Sequence, residues 1–322
     1  MSSPSARDDV QLLLRVARLY YEENWTQAQI ADAVGYSRPS ISRLLTQARE
    51  AGIVRITISH PLERILSIEA RLKTALGLTA VRVTESSESD SFDHLGITAA
   101  DLLVRVTSDG QVLAVGNGRS VAAVSRHVPD INRTHCTVVQ MLGSLPGGPP
   151  SWGRDAPTVC HHIAKKLGAT SARMAVPLIV DDPALLRPLM REEKVATTLA
   201  LAARADVALV GVAGVDAYGE GNILAEYMTP PIQNAIRDGG AVGHILDHHY
   251  DATGAHVPTP LTPRTLALSL DELRAIPLVI GVASGPEKAG AIVAAARGGI
   301  LNAVVTDYDT AKLMLERIAP RR

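Results

Sequence analysis

Hydrophobic and polar positions divide the chain into two parts with different patterns. In the first sixty residues, apolar side chains recur at the spacing of three short helices, with turn-forming residues between them. The first predicted helix runs from about Asp9 to Glu23. The second begins after Thr26, which has capping-box spacing to Gln29, and the third begins after Ser37 and ends before Gly52. This order predicts a small helical domain.

The residues after the third helix predict a strand and then a connecting helix. Val54 to Ile58 alternates between apolar and polar side chains, as a half-buried strand does. From Pro61 to Leu76 the apolar residues have nearly heptad spacing, which favours one continuous helix. Such a stripe either packs on its own chain or pairs with a second subunit, and so short a segment does not separate the two.

From Leu78 onward, short β-branched runs alternate with helical stretches, which favours the α/β class with a parallel, doubly wound sheet. The predicted strands are Ala80–Val83, Val112–Val115, Thr137–Met141, Met174–Ile179, Val207–Val212, Leu278–Val282 and Ala303–Thr306. The predicted helices include Gly96–Thr107, Val159–Leu167, Lys194–Arg204, Pro286–Arg297 and Thr310–Ile318. Ser86–Asp93 and Leu145–Pro150 are expected to be loops. The predicted division is therefore residues 1–60, a linking helix over 61–77, and an α/β domain over 78–322.

Composition limits the classes of protein to which the chain can belong. Of 322 residues, 46% are hydrophobic, enough for a sizeable core, and 3% are aromatic, which disfavours single-strand recognition by base stacking. The 32 basic and 33 acidic residues give a net charge of −1, which argues against coating nucleic acid through bulk charge. Cys136 and Cys160 are expected to be buried thiols. No segment is typical of a secretory signal or a membrane span, so we expect a soluble, cytoplasmic protein.

The second and third predicted helices have the features of a helix-turn-helix. They are joined by a tight turn at Gly35, and the third has an apolar face opposite a polar one. Between Ser37 and Arg55, four arginines and one glutamate give a local charge of +3. Arginine reads guanine by paired hydrogen bonds in the major groove, and serines or a helix N-terminus hold phosphate. An ordinary surface hairpin with solvated charges is the alternative on spacing alone.

The segment VARLYYEENWTQAQIADAVGYSRPSISRLLTQAREAGIVRITI, residues 16–58, resembles the DNA-binding domain of the SorC family of bacterial transcriptional regulators. The similarity has no gap. It implies a winged helix-turn-helix that binds double-stranded operator DNA. The residues that it places at the operator or near its phosphates are Thr26, Gln27, Arg38, Ser40, Ser42 and Arg43.

Two glycine-containing turns in the α/β part suit an anion. In VLAVGNGRS (Val112–Ser120), a strand leads into a turn and then a helix, so backbone N–H groups, the helix dipole and Arg119 can face an anion. SGPEKAGAI (Ser284–Ile292) has the same order and places Lys288 in the first helical turn, where a cation opposes the dipole. A solvated lysine paired with Glu287 or another acid is the alternative. The third glycine of a dinucleotide fingerprint is missing, so a Rossmann cofactor site is rejected.

Later segments resemble the effector domain of the same family, whose fold is similar to that of sugar-phosphate isomerases and glucosamine-phosphate deaminases. They are AVGHILDHHYDATG and IPLVIGVASGPEKAGAIVAAARGGILNAVVTDYDTA, with VGNGRS and VVQMLG. The resemblance implies a pocket for a sugar, a polyol or a sugar phosphate. The residues assigned to it are Gly116, Gly118, Arg119, Ser120, Gln140, Asp216, His244 and Lys288. His244 stands where the family commonly has aspartate, so the preferred ligand is expected to differ.

The sequence therefore predicts a ligand-responsive transcriptional regulator. One motif reads each half of a palindromic operator, so at least a homodimer is expected, and the resemblance suggests a homotetramer. A phosphosugar isomerase or deaminase is the alternative, but no motif brings Asp216, Glu220 and His244 together as an acid–base pair. His244 and His248 would share a face if helical, yet no further pattern supports zinc. We expect no metal, no cofactor, no membrane association and no catalytic residue.

Overall fold

The computed structural model describes residues 4–55, 61–85, 91–145, 152–215, 224 and 227–318. The chain divides into two compact units, an N-terminal unit (Met1–Glu63) and a C-terminal unit (Arg64–Arg322). Most of the strand predicted from Val54 to Ile58, which the resemblance assigns to a wing, lies outside the described residues. So does most of the loop predicted at Leu145–Pro150. Among the described residues, no helix combines the length and the hydropathy that a bilayer-spanning segment needs.

The N-terminal unit consists of three helices around a small apolar core. Helix α1 spans Pro4–Tyr21, α2 spans Gln27–Val34 and α3 spans Arg38–Glu50. The core residues are Val16, Ile30, Ala31, Ile41 and Leu45. Helix α3 thus buries Ile41, Leu45 and Ala48 of its predicted stripe. In α1, by contrast, Val10, Leu14 and Tyr21 of the predicted stripe are exposed, and the helix begins earlier than expected.

Local side chains fix where α2 and α3 begin. The Thr26 hydroxyl accepts a hydrogen bond from the Gln29 N–H at 3.3 Å, and the Gln29 side-chain oxygen accepts one from the Thr26 N–H at 2.9 Å. After the turn at Gly35, the Ser37 hydroxyl accepts a hydrogen bond from the Ser40 N–H at 3.4 Å. These bonds satisfy N–H groups that have no partner inside the helix. The predicted capping box and both helix starts are confirmed.

The C-terminal unit is built on a parallel sheet. Its described strands are β1 Ala80–Thr84, β2 Val112–Val115, β3 Thr137–Gln140, β4 Thr170–Ala172, β5 Val207–Gly211, β6 Ala213–Gly214, β7 Gly243–Ile245, β8 His248–Tyr250, β9 Leu278–Val282 and β10 Ala303–Asp307. Seven of them form one sheet in the order β1-β10-β9-β5-β2-β3-β4, with every neighbouring pair parallel. Strands β6, β7 and β8 form a small antiparallel sheet. The predicted doubly wound fold is confirmed.

Helices cover both faces of the large sheet. They are α4 Pro61–Leu76, α5 Ser91–Val106, α6 Arg119–His127, α7 Ala156–Leu167, α8 Leu186–Arg191, α9 Glu193–Ala202, α10 Pro230–Asp238, α11 Leu270–Arg274, α12 Ala289–Arg297 and α13 Tyr308–Ile318. Alternate residues of a strand point to opposite faces. In β2, Leu113 and Val115 therefore join a core with α5, α6 and α7, whereas Ala114 joins a core with α4, α12 and α13. Burial on both faces explains the continuous apolar runs of the central strands.

Helix α4 packs along one face on its own chain. Ile65, Ile68 and Leu72 are buried in the core of the C-terminal unit, and Leu66 is 54% exposed. The Arg64 guanidinium lies 4.5 Å from the centre of the Tyr308 ring, a cation–π contact. Packing on its own chain, one of the two alternatives, thus accounts for Ile65 and Leu72 of the predicted stripe and leaves Leu62 and Leu66 exposed. Pairing with a second subunit stays a prediction.

Two predicted elements are wrong in part. No strand occupies Met174–Ile179; the edge strand β4 lies earlier, and Pro177 and Ile179 form only isolated bridges. Proline has no N–H to donate to a ladder, which explains the interruption. Of the predicted loop Ser86–Asp93, residues 91–93 already belong to α5 and residues 86–90 lie outside the described residues.

Candidate ligand pocket and DNA-binding face

A pocket of about 100 Å³ opens at the carboxyl ends of β2, β5 and β9, which are neighbours in the sheet. The order of the strands reverses at this place, since β3 and β4 extend the sheet on one side of β2, and β5, β9 and β10 extend it on the other. Open α/β sheets bind ligands at such a switch point. Five predicted effector residues line the pocket, namely Gly118, Arg119, Ser120, His244 and Lys288.

The other three predicted effector residues do not line the described pocket. Gly116 lies just below it, donates its N–H to the Leu209 carbonyl at 2.9 Å, and continues the pairing of β2 with β5. Gln140 is fully buried, and its amide donates to the Leu142 carbonyl at 2.5 Å and accepts from the Met174 N–H at 3.2 Å. Asp216 lies outside the described residues. The side chain of Gln140 therefore serves the fold, and direct contact with a ligand stays a prediction for Gly116 and Asp216.

The glycine turn after β2 presents the start of α6 to the pocket. Gly118 is the N-cap residue at φ +100°, and its carbonyl accepts the first helical bond from the Ala122 N–H at 2.9 Å. The N–H groups of Arg119 and Ser120 precede that bond and have no partner within the helix, so they suit an anion. The Arg119 guanidinium lies 5.0 Å from the centre of the Phe92 ring, which positions it by a cation–π contact.

Lys288 adds a buried positive charge to the same pocket. Its residue is only 7% exposed, and no carboxylate of the described residues lies within 4.0 Å of its ammonium. Burial lowers the pKa of Lys288; Glu287 opposes that shift, and Arg119 adds to it. A buried ammonium without a paired carboxylate is costly. Lys288 is therefore neither solvated nor in an ion pair with Glu287, and the pocket suits an anionic ligand.

The end of β10 holds the turn that carries Lys288. The Gly285 N–H donates to the Asp307 carboxylate at 3.2 Å and to the Thr310 hydroxyl at 2.9 Å. The Thr310 hydroxyl in turn donates to Asp307 at 2.5 Å. These bonds fix the backbone just before the short 3-10 turn Pro286–Lys288, so the position of the ammonium is set by two neighbouring strands.

A β-hairpin forms the remaining polar wall. Strands β7 and β8 are joined by Leu246 and Asp247, whose φ angles are +49° and +62°. His244 Nδ1 lies 3.6 Å from Asp247 Oδ1. Burial, reinforced by Lys288, lowers the pKa of His244 to about 4, whereas burial raises the pKa of Asp247 to about 7. Both groups are therefore uncharged at mildly acidic pH, and Asp247 ionises near neutrality.

The hairpin replaces the helical arrangement on which a zinc site would have depended. His244 and His248 lie on adjacent antiparallel strands, so the idea of one shared helical face is wrong. Among the residues that the structure describes, no three His, Cys, Asp or Glu side chains are grouped so that they could hold a metal ion.

Sequence reasoning missed several pocket residues. Asn117 lies inside the GNGRS turn and was passed over in favour of its glycines, whereas Phe92 and Arg154 reach the pocket from distant elements and carry no local signal. For Asp247, the segment HILDHHY has apolar and polar residues in a pattern compatible with strands. Two-residue hairpin turns, however, normally contain Gly or Asn. The Leu-Asp pair therefore concealed the turn.

The N-terminal unit presents the predicted DNA-binding residues along α2 and α3. Arg38, Ser42 and Arg43 are exposed, and neither arginine is in an ion pair with another described residue. Thr26, Gln27 and Arg38 border one open cleft. The hydroxyls of Thr26 and Ser40 are engaged in helix caps, so Ser42 is the predicted hydroxyl most free to meet phosphate. The opposite, apolar face of α3 is buried through Ile41, Leu45 and Ala48, as predicted.

Comparisons with known proteins cover both units. Residues 60–316 match the family profile described as "Putative sugar-binding domain". The sorbitol operon regulator of Klebsiella pneumoniae is 30% identical over 312 residues, which is 96% of this chain and 99% of that protein. The full-length crystal structure of that regulator, SorC, superposes with a TM-score of 0.74 over 95% of this chain and 99% of its own. The transcriptional regulator LsrR of Enterobacter sp. strain 638 is 34% identical over 315 residues, 96% of this chain and 94% of that one.

A helix-turn-helix unit joined to a doubly wound α/β unit, with a polar pocket at the switch point of its sheet, defines a transcriptional regulator with a sugar-binding domain. The sequence predicted the helical unit and the α/β unit from different segments. The sorbitol operon regulator and its crystal structure match this chain over nearly its whole length, and so over both units. The chain belongs to the SorC family of transcriptional regulators.

Replacing Gly118 with alanine is expected to weaken anion binding by about tenfold and to cost about 1–3 kcal/mol in the free energy of unfolding. A Cβ at Gly118 would meet nothing within 4 Å, but φ +100° is strained for any L side chain. Relaxation of the turn would move the N–H groups at the start of α6. Thermal unfolding and calorimetric titration with inorganic phosphate and sugar phosphates measure both effects. Gly110→Ala is the matched control, since its φ is +88° with equally open space, at the opposite end of β2. Equal phosphate affinity in both variants would contradict the role of the turn.

Proposed function

We propose that the chain controls genes of carbohydrate or polyol metabolism by binding palindromic operator DNA as a homodimer or homotetramer. A sugar, a polyol or a sugar phosphate in the pocket changes that binding. The observation that carries the ligand class is Lys288, a buried cation with no carboxylate within 4.0 Å among the residues that the structure describes, in the same pocket as the start of α6. An anionic group on a carbohydrate completes such a site better than water does.

DNA recognition is assigned to the N-terminal unit. Arg38, Ser42 and Arg43 are exposed on α3, where the N-terminal part of a recognition helix meets base edges and phosphates. Thr26, Gln27 and Ser40, at the starts of α2 and α3, are assigned to the phosphate backbone. One such unit reads one half-site, so a palindromic operator needs two copies. A regulator that binds chromosomal DNA works in the cytoplasm.

Regulation follows from unequal binding. If the ligand has different affinities for the DNA-competent and the DNA-incompetent forms, it shifts the populations by the ratio of those affinities. The name of the Klebsiella relative, sorbitol operon regulator, supports a process of carbohydrate or polyol use as the regulated one. Operator DNA must then change the affinity of the pocket by the same factor as the ligand changes that of the operator, because coupling is reciprocal.

Catalysis is the second candidate function, and one observation favours it. His244 and Asp247 line the pocket 3.6 Å apart, and the pKa of Asp247, raised by burial to about 7, suits proton transfer. The relatives are named as regulators, which supports a sensor that binds without turnover. The two functions differ in a direct assay of products from sugar phosphates.

Selection from a random duplex DNA library, followed by anisotropy titration, tests the DNA-binding half of the proposal. A thermal-shift screen of sugars, polyols and their phosphates tests the other half, since a compound that binds only the native protein raises the melting temperature. The expected result is a palindromic DNA motif whose affinity changes with at least one stabilising compound. Absence of any enriched motif, or of any stabilising compound, would overturn the corresponding half. Conversion of a stabilising compound to product would establish catalysis.

A further inference from the structure

We infer that Asp247 and Asn117 form a hydroxyl-recognition subsite, through which this pocket selects polyhydroxylated ligands over simple phosphate esters. The inference rests on the proposed function, because it assumes that the pocket binds a carbohydrate-type ligand. It concerns a different part of the ligand from the anionic group assigned to Lys288.

Asp247 lines the pocket and carries an unsatisfied acceptor. The residue is 5% exposed, and its Oδ2 atom is buried without a hydrogen-bond partner among the described residues. The other carboxylate oxygen faces His244 at 3.6 Å, which is too long for a hydrogen bond. Burying a polar atom without a partner is unfavourable, so native proteins seldom leave such atoms unsatisfied. Because Asp247 lines the pocket, a bound molecule can supply the missing donor.

Asn117 presents an unsatisfied donor to the same pocket. Its Nδ2 atom is buried without a hydrogen-bond partner in the described part of the chain, and the residue lies between the two glycines of the turn after β2. A hydroxyl group both donates and accepts hydrogen bonds. A ligand with several hydroxyls can therefore satisfy both residues, whereas the dianion of a simple phosphate ester has only acceptor oxygens.

The backbone of the hairpin holds the carboxylate in place at an energetic cost. Leu246 and Asp247 both have positive φ, a conformation that non-glycine residues adopt only where the surroundings enforce it. Leu246 is seated against Gly116, since a Cβ added there would lie 3.2 Å from Leu246 Cδ2. The close approach at Gly116 thus positions the turn, and with it the Asp247 side chain. Glycine would fit position 247 with less strain, so the carboxylate is not explained by the turn itself.

The charges around Asp247 give the subsite a pH dependence. The titratable or permanently charged groups that share its pocket are His244 on β7, Lys288 before α12, Arg119 on α6, and Arg154. Burial raises the pKa of Asp247 to about 7, so the carboxyl is partly protonated at neutral pH. A hydroxyl that donates to the carboxylate favours the ionised form and lowers its pKa. Affinity for a polyol phosphate is therefore expected to rise about tenfold from pH 6 to pH 8 through this group.

The test is calorimetric titration with four probes: glucitol 6-phosphate, glycerol 3-phosphate, propyl phosphate and inorganic phosphate. We expect Asp247→Asn to lower the affinity for glucitol 6-phosphate by about tenfold or more and that for glycerol 3-phosphate by less. The affinities for propyl phosphate and inorganic phosphate, which have no carbon-bound hydroxyl, should stay within about twofold. Asn117→Ala is expected to give the same order of effects. In Asp247→Asn, the affinity should depend on pH only through ionisation of the phosphate group. The difference between this pH dependence and that of the unaltered protein is therefore the contribution of Asp247.

Two further variants separate recognition from folding. Asp247→Gly removes the carboxylate and relieves the turn, so its melting temperature should be equal or higher while its loss of glucitol 6-phosphate affinity matches that of Asp247→Asn. Asp238→Asn, an exposed acid at the end of α10, is the control and should change nothing. Unchanged selectivity in Asp247→Asn, or equal affinity of the unaltered protein for propyl phosphate and glucitol 6-phosphate, overturns the subsite alone. Failure of all four probes and of the wider screen to bind the unaltered protein overturns the proposed function as well.

Discussion

Replacing Lys288 with methionine is expected to stabilise the unliganded protein and to remove its response to phosphorylated ligands. Methionine has a similar length and no charge, so it spares the cost of a buried ammonium that has no carboxylate within 4.0 Å in the described part of the chain. A gain of about 1–3 kcal/mol in the free energy of unfolding is expected. Loss of charge-assisted hydrogen bonds to phosphate should lower affinity about 10- to 100-fold. Chemical denaturation and calorimetry with glucitol 6-phosphate measure the two effects.

Lys288→Met is expected to raise the free energy of unfolding and to lower the ligand affinity, so general damage to the fold would not produce both effects. Lys312→Met, an exposed lysine on α13, is the matched control and should alter neither stability nor affinity appreciably. A fall in stability for Lys288→Met would show that the ammonium is satisfied within the protein. Unchanged affinity for glucitol 6-phosphate would remove Lys288 from the anion site. DNA binding without ligand should be the same in both variants.

Replacing Arg43 with alanine is expected to weaken specific operator binding about 10- to 100-fold and to relax the preference at one base pair of each half-site. Arg43 is exposed on the polar face of α3 and has no ion pair among the described residues, so its guanidinium is available to a guanine edge. A bidentate pair of this kind is worth about 1–3 kcal/mol of discrimination. Anisotropy titrations against the selected DNA motif and its single-base variants, at fixed salt concentration, measure both effects.

Two variants distinguish base reading from general attraction. Arg43→Lys keeps the charge but lacks the planar fork, so it should recover non-specific affinity without recovering base preference. Arg49→Ala removes an exposed arginine from the last turn of α3 and should have a smaller effect on base preference. Full recovery of specificity by Arg43→Lys would assign Arg43 to the phosphate backbone.

Local signals explain which elements could be predicted. The starts of α2 and α3 depend on Thr26, Gln29 and Ser37, whose hydrogen bonds connect residues three positions apart. The central strands are buried on both faces, so their apolar runs are visible in the sequence. Met174–Ile179 misled because it combines apolar residues with Pro177, and whether such a segment pairs depends on its neighbours in space.

Local sequence pattern predicted the pocket where one short segment supplies both the backbone and the charge, whereas His244 was assigned to it through the family resemblance. The turns at Gly118–Ser120 and at Lys288 follow strands directly, and the ends of adjacent parallel strands meet at one edge of a sheet. Gln140 also ends a strand, but its amide turns into the protein to satisfy the backbone. Asp247 reaches the pocket through a separate small sheet, a relation between distant residues that spacing along the chain does not encode.

The pairing of β1 with β10 implies that the two units fold at different times during synthesis of the chain. The first strand of the large sheet has β10 as its neighbour, in register from Ala80 with Ala303 to Thr84 with Asp307. The sheet therefore cannot be completed until nearly the whole chain has left the ribosome, and such long-range pairing is slow. The three helices of the N-terminal unit contact one another within the first fifty residues, so this unit can fold early in synthesis. During translation, the N-terminal unit is thus expected to fold before the sheet of the C-terminal unit can form.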